Sequence, residues 1–530
     1  INSQSNVNLI AENNIGLVKY IEKKFQLYGL DPKLYTYDYY PSQIPLGSKL
    51  QVIDEKSKTV LYDVKLFEGS YKTPAYHNGG CGGEAHALYI FANYGTKEDY
   101  ELLATNNIEI SNKIVLVREF NLQGSNSRIP LITTREKIEL AHSYGAIGFI
   151  IYSDYGSEDS SPSSAKRAFA KSFKASIIER SSVIDNRNDD TPLPKIPSIP
   201  VSYKAISPIL QSFDSSASLE PFKNWSFSPL PFSSTLNIYM STEFSKKRHG
   251  KLINIVGQIP GILKDSEVII GASRDSFTLS NPLSSHAILL EIARGYQKLT
   301  QLGWRPLRTI KFISWDGTNS GKAGSVAYFK DETAYDKRMP LSGYINLDTD
   351  TIRGSKLVVD AHPELDHLVK SAAAYVPFPR VSVHDGKVGK ETDGEIEEDH
   401  DSTTDIYYSH SPSLFQYWKK QDKNKINNVL TEEILNLDAI NFQQHQGIPI
   451  VNLKFDNDPK IDSVIYPKNS NYFLDDWLNT LDGDMLLHGL IVRFAGLLAM
   501  TLCDHEVTDH KIKPYAEKLN EFFDIVKETH

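Results

Sequence analysis

Apolar residues recur along this chain in two rhythms, and the changes from one to the other mark out its parts. Within residues 10–28, Val18, Ile21, Phe25 and Tyr28 repeat at helical spacing, and Gly29 supplies the stop. Alternating segments at 35–39 and 49–53 then read as strands. The run Asn78-Gly79-Gly80-Cys81-Gly82-Gly83 predicts a turn. Beyond it, residues 87–91 and 113–117 read as strands, 133–144 as a helix and 146–152 as a further strand. Residues 153–174 are rich in Ser with scattered Lys and Arg, which reads as a solvated loop. The proline-dense stretch 192–200 reads as a stiff connector near a domain boundary.

From residue 235 the pattern becomes strand, helix, strand. Strands are expected at 235–239, 251–258, 268–271, 309–314, 343–347 and 356–359, with helices from His286 and near 325–329. Such alternation argues for a largely parallel sheet flanked by helices. Residues 268–294 are the centre of this region: a buried β-branched run, Gly271, a polar loop, then a helix. In an open α/β sheet, ligands and catalytic groups sit outside the carboxyl ends of the strands. That loop carries Ser273, Arg274, Asp275, Ser276 and Asn281, which is poor equipment for metal chemistry. An acidic run from Glu391 through Glu395, Glu397, Glu398, Asp399 and Asp401 lacks the spacing of a calcium loop and reads as solvated. Residues 474–530 are helical by pattern.

Composition narrows the class. A chain of 530 residues with 40% hydrophobic and 23% charged positions is globular and long enough for about three ordinary domains. A net charge of −9 gives no reason to expect nucleic acid as a partner. Two cysteines, Cys81 and Cys503, define no disulfide framework: one bridge and two free thiols are equally open. The sequon Asn224-Trp225-Ser226 permits N-glycosylation at Asn224, and with it a lumenal or extracellular setting. The longest apolar stretch, 488–503, falls short of the ~20 residues of a membrane span and contains Arg493, so it reads as a buried helix. The chain starts at Ile1 rather than Met, and the expectation is a processed or excised fragment with room for an anchor upstream.

Three blocks in order carry a family resemblance: VIIGASRDSF (268–277), GWRPLRTIKFISWDGTNSG (303–321) and YINLDTD (344–350). Together they resemble the transferrin receptor and glutamate carboxypeptidase II family, whose ectodomains are built on a zinc-peptidase fold. The blocks at 93–103, 113–119, 141–154 and 196–203 are similar to the protease-associated domain that these proteins insert into the peptidase domain. Residues 438–448, DAINFQQHQGI, resemble the late peptidase region. The resemblance implies an α/β fold: a zinc-peptidase-like mixed sheet flanked by helices, with an inserted β-rich protease-associated domain and a C-terminal helical domain. The expected division is 1–70 with 221–473 for the split peptidase-like domain, 71–220 for the insertion and 474–530 for the helical end. Through that end, shorter here than in the family, the resemblance implies a homodimer.

Active members of the family hold two zinc ions with His, Asp and Glu ligands, and a further Glu takes a proton from bound water. Matched residue by residue, this chain has Ser273 at a histidine position and Asn281 at the bridging aspartate. Thr318 and Asn319 fall on the Glu-Glu pair, and Pro467 on the last histidine. Asp348 alone keeps an aspartate. The family's calcium-binding acids fall on Ala327 and Lys330. A site with one carboxylate cannot hold two divalent ions, so the expectation is a pseudo-peptidase with no metal, no cofactor and no catalytic residue.

Two enzymatic alternatives fall short in their residue pattern. Gly271-Ala272-Ser273 has the start of a nucleophile elbow, but Asp275 stands where the second glycine is required. His362 with His367, and His505 with His510, lack the i, i+4 spacing and the Glu of a zinc helix and read as surface or capping residues. Arg274 and Asp275 read as a pair bracing the loop. Function is therefore expected to lie in surfaces. The TNSG and GASRD variants resemble the fungal transferrin-receptor-like proteins, which implies a single-pass membrane adaptor. Such an adaptor brings a ubiquitin ligase, through a cytosolic tail absent from this chain, to membrane transporters for vacuolar sorting. The ectodomain would then face the endosome or vacuole lumen or the cell exterior. A receptor for a soluble protein ligand is the alternative, and an active metallopeptidase with an atypical site a more distant one.

Overall fold

The computed structural model describes residues 15–42, 45–67, 74–119, 132–153, 175–184, 192–214, 220–245, 248–263, 266–275, 281–347, 351–378, 381–384, 387–390, 412–422, 437–457 and 482–529. Its main sheet has seven strands: β1 (Lys33–Ser42), β2 (Arg248–Ile259), β3 (Glu267–Ser273), β4 (Thr309–Trp315), β5 (Leu341–Asn346), β6 (Lys356–Ala361) and β7 (Ile450–Asp456). Their order across the sheet is β1-β2-β4-β3-β5-β7-β6. The four inner strands β4, β3, β5 and β7 are parallel, whereas β1, β2 and β6 join antiparallel. The sheet is thus mixed rather than largely parallel, because β1 and β2 pair antiparallel and β6 turns back on β7. β3 is buried along its whole length, which accounts for its unbroken apolar run.

Helices cover the sheet. In α1 (Ile15–Leu27), Leu17, Val18, Ile21 and Phe25 form the buried stripe, and fully burying Ile21 or Phe25 is worth about 1.5–3 kcal/mol each. α2 (Asn281–Gln301) buries Ile288, Leu289, Leu290, Ile292 and Ala293 in the same core, and α3 (Ala323–Lys330) lies beyond β4. α4 (Leu486–Asp504) is long and apolar enough to cross a membrane by length and composition, yet Leu490, Ile491, Phe494, Leu498 and Leu502 are buried in this core. Trp304 Nε1 donates to Asp504 Oδ2 at 2.8 Å and closes the far end. The C-terminal region is therefore not a separate helical domain as far as α4 extends: α4 is a core helix of the sheet unit. α5 (Ile512–Thr529) packs its first turns against residues 362–365, with the His362 and Tyr515 rings 5.0 Å apart, and leaves Ile512, Leu519 and Phe523 exposed.

A second unit has its own core, and its sheet pairing runs wider than residues 71–220. An antiparallel sheet joins Thr59–Asp63, Pro45–Asp54, Leu236–Phe244 and Gly83–Ala87 in that order. A parallel sheet joins Tyr89–Phe91, Ile114–Arg118, Gly148–Ser153 and Ser198–Ser202. Leu50, Val52, Ile238 and Met240 share one core with Ile114, Ile150 and Ile199. The chain therefore enters this unit after β1 and leaves it before β2. The proline-dense stretch is not a connector throughout, since Ser198–Ser202 is an edge strand with Pro200 opposite Ile151. An edge tolerates the missing N–H of proline. The loop expected at 153–174 and the acidic run at 391–401 lie almost wholly outside the described residues. Cys81 and Cys503 are free thiols, one in each unit.

A buried line of polar side chains ties the sheet together. Trp315 Nε1 donates to Tyr344 Oη at 3.0 Å, which donates to Asn346 Oδ1 at 2.9 Å. Asn346 Nδ2 donates to Asn452 Oδ1 at 3.0 Å, and Asn452 Nδ2 to Asp360 Oδ2 at 3.0 Å. Trp315 and Tyr344 meet across β3 because Gly271 has no side chain there. A Cβ at that position would lie 2.3 Å from Trp315 Nε1 and 2.4 Å from Tyr344 Oη. Gly271→Ala should therefore lower stability by about 1–3 kcal/mol, the usual cost of overpacking. Urea denaturation followed by circular dichroism checks this, and an unchanged midpoint would show that the crossing has slack.

Candidate functional site

Because β3, β4 and β5 are parallel and in register, their carboxyl ends open on one edge: Ser273 lies opposite Trp315, and Gly271 opposite Asn346. Ser273, Thr318 and Asn319 converge there, as their sequence positions predict. Asn281 opens α2 at the same edge. Its side chain, with Asp348 and Pro467, lies outside the described residues. Asn224 is exposed and Ser226 accepts from Arg118 Nη1 at 2.6 Å, so the sequon lies at the surface.

Asp275 organises the site. Its Oδ1 accepts the Thr318 amide and its Oδ2 the Asn319 amide, each at 2.8 Å. Ser273 Oγ donates to Asp275 Oδ1 at 3.1 Å, and Asn319 Nδ2 donates to the Asp275 main-chain oxygen at 2.9 Å. The receiving turn, Thr318–Ser320, is bracketed by Gly317 at φ 70° and Gly321 at φ 75°, backbone that glycine adopts without a Cβ penalty. Arg274 does not brace Asp275, contrary to the sequence expectation. Its Nη2 pairs instead with Asp316 Oδ2 at 2.8 Å, both side chains buried, and its Nη1 donates to Ser314 Oγ at 2.9 Å. His286 Nε2 lies 2.8 Å from the same Ser314 Oγ, beneath the edge rather than in the loop.

Two participants escaped the sequence reading. Asp438 is fully buried behind the turn, where Thr318 Oγ1 donates to Oδ2 and Ser325 Oγ to Oδ1, and Asn441 Nδ2 donates to Ser325 Oγ at 2.7 Å. From the second unit, Asn78 Nδ2 donates to the Asn319 main-chain oxygen at 2.7 Å and to Ser320 Oγ at 3.2 Å. No spacing rule announces either contact, since the partners are more than 100 residues apart in the chain. The histidine pairs also resolve across the sequence: His367 Nδ1 meets Asp509 Oδ2, and His510 Nδ1 lies 3.0 Å from Glu364 Oε2, both at the base of α5.

Comparison with known proteins agrees with this architecture. A PA domain model matches residues 71–209 and a peptidase family M28 model residues 254–409. Vacuolar protein sorting-associated protein 70 of Saccharomyces cerevisiae is 29% identical over 95% of this chain and 61% of its own length. Probable glutamate carboxypeptidase AMP1 of Arabidopsis thaliana is 24% identical over 96% of this chain and 67% of its own. A Schizosaccharomyces pombe protein named as an inactive zinc metalloprotease is 24% identical over 80% of this chain and 51% of its own. The chain thus spans about three fifths of the length of the yeast relative. Among solved structures, an aminopeptidase from Aneurinibacillus sp. strain AM-1 superposes with a TM-score of 0.52 at 13% identity, covering 95% of this chain and 92% of that one. An M28-type sheet interrupted by a PA domain defines a peptidase-like class. These matches agree with the resemblance to the transferrin receptor and glutamate carboxypeptidase II family.

Zinc is the ion the family's fold implies, and the described residues do not fit it. Zinc asks for thiolate, imidazole or carboxylate donors with lone pairs turned to the ion. At three of the family positions stand two hydroxyls and a carboxamide. The hydroxyls donate to Asp275 and Asp438, and the carboxamide donates to a main-chain oxygen. Among the described residues no three His, Cys, Asp or Glu side chains group to hold a metal.

Burial, the nearby Asp316 and then Asp438 push the Asp275 carboxyl up to about 7, and the amides of Asn319 and Thr318 offset part of that rise. An acid raised in the folded state binds its proton more tightly there than in the unfolded chain. Its contribution to stability is complete below about pH 4 and is lost as pH rises through 7. The melting temperature should therefore fall between pH 5 and pH 8, and Asp275→Asn should flatten that slope while lowering stability at pH 5. Thermal melts at both pH values check this. An equal slope in the variant would assign the pH dependence elsewhere.

Proposed function

We propose that this chain is the peptidase-like ectodomain, inactive as a metallopeptidase, of a membrane adaptor that acts by binding. Its role is to present membrane transporters to a ubiquitin ligase for sorting to the vacuole. One observation carries the loss of catalysis. The family's ligand positions that can be described hold neutral side chains, which donate their hydrogen atoms to neighbouring groups and bring no charge to an ion. The names of two fungal relatives, one a vacuolar sorting protein and one an inactive zinc metalloprotease, support the same direction. A receptor for a soluble ligand is the second reading. The several relatives named as glutamate carboxypeptidases favour a third, an active metallopeptidase.

Elemental analysis of the purified protein, with hydrolysis of a dipeptide panel in added zinc, separates these readings. The expected result is no stoichiometric zinc and no turnover. Restoring Ser273→His alone should recover nothing, because a base acts only on metal-bound water and the ions need the full ligand set. Stoichiometric zinc with turnover that a chelator abolishes would overturn the reading. Unchanged transporter degradation in cells lacking the protein would remove the sorting half alone.

A further inference from the structure

α2 and α4 run side by side and both begin at the carboxyl edge of the sheet. Ser284, in the first turn of α2, meets His488, in the first turn of α4, and further along Tyr296 Oη donates to the Gly496 main-chain oxygen. Ser284 Oγ lies 2.9 Å from His488 Nε2, and His488 Nδ1 lies 2.6 Å from Asp482 Oδ2. Asp482 is held in turn: its Oδ1 accepts the Leu487 amide and its Oδ2 the His488 amide, each at 2.9 Å. The chain folds Asp482 back over the start of α4 through Met485 at φ 56°, a conformation that costs a non-glycine residue free energy and that clusters at functional sites.

The tautomer follows from these contacts. A carboxylate only accepts, so His488 Nδ1 carries the ring proton toward Asp482 and Nε2 presents its lone pair. Among the described residues the Ser284 hydroxyl faces that lone pair, and it donates to Nε2. A hydroxyl whose proton points at an imidazole nitrogen, with that imidazole oriented by a carboxylate, is the arrangement that activates a serine, whatever the fold or chain order. It is separate from the Ser273 alternative, since Ser273 donates to the Asp275 carboxylate and not to an imidazole.

We propose that Ser284 is a metal-independent nucleophile toward carboxylic esters, with His488 as general base and Asp482 as the positioning residue. Ser284 Oγ bonds to the acyl carbon as its proton passes to His488 Nε2. The ester C–O bond then breaks, and the alcohol leaves with that proton. Water repeats the sequence on the acyl-serine and releases the acid. Ser284 is 4% and His488 7% exposed, which restricts the acyl group to a slender one.

The test uses the intact chain, a fluorophosphonate probe and peptide mass spectrometry. The proposal expects labelling at Ser284 that persists in a chelator and disappears on heat denaturation. Labelling should be abolished in Ser284→Ala and reduced at least about 100-fold in His488→Gln, the scale of a lost general base. The chelator keeps this separate from the zinc question, because a failed pseudo-peptidase reading would show chelator-sensitive peptide turnover. Folded wild-type protein that takes no label at Ser284 overturns the proposal. So does label retained in a folded His488→Gln variant, which would make the three residues a brace between the helices.

Discussion

The carboxyl edge of the main sheet depends on a single carboxylate. Asp275 follows β3, and its two oxygens receive successive amides from the turn that follows β4. Those amides would otherwise be buried donors without partners, at a cost of about 1–3 kcal/mol each. In a zinc site of this fold, cation charge would hold the same loops apart and in place. Here one anion and a set of neutral donors hold them together. Serine, threonine and asparagine can close such a network among themselves, whereas clustered carboxylates without a cation repel one another.

The rest of the edge is arranged to keep that carboxylate dry and its turn fixed. The Arg274–Asp316 pair fills the floor, and Asp316 also accepts the Ile253 amide from β2 at 3.0 Å. Asp438 anchors the back of the turn and Asn78 its front, so the inserted unit touches the loop that an active enzyme would reserve for its ligands. Apart from the Arg274–Asp316 ion pair, each contact joins a carboxylate or main-chain oxygen to a main-chain or neutral side-chain donor. The turn is held from three sides, and this arrangement replaces an ion with geometry.

Much of this was legible in the sequence because it is local. β-branched runs at 268–271 and 309–314 give buried strands, the helical stripe through Val18, Ile21 and Phe25 gives α1, and the Ser273, Thr318 and Asn319 departures follow from motifs in order. What escaped is non-local. The antiparallel flanks of the sheet depend on pairing between β1 and β2, which lie on either side of a long insertion. Pro200 sits in a strand because an edge position excuses it. Asp438, Asn78 and the Ser284–His488–Asp482 relay join residues that no short motif places together. Arg274 chose Asp316 over its neighbour because adjacent residues at a strand end point to opposite faces.

The central claim is that this edge is complete without an ion, and thermal unfolding in a chelator and in added zinc tests it most directly. The account predicts the same melting temperature in both. A ligand that binds the native state at 100 times its Kd adds about 2.7 kcal/mol of stability. A rise of that order in zinc, reversed by the chelator and absent from Asp275→Asn, would contradict it.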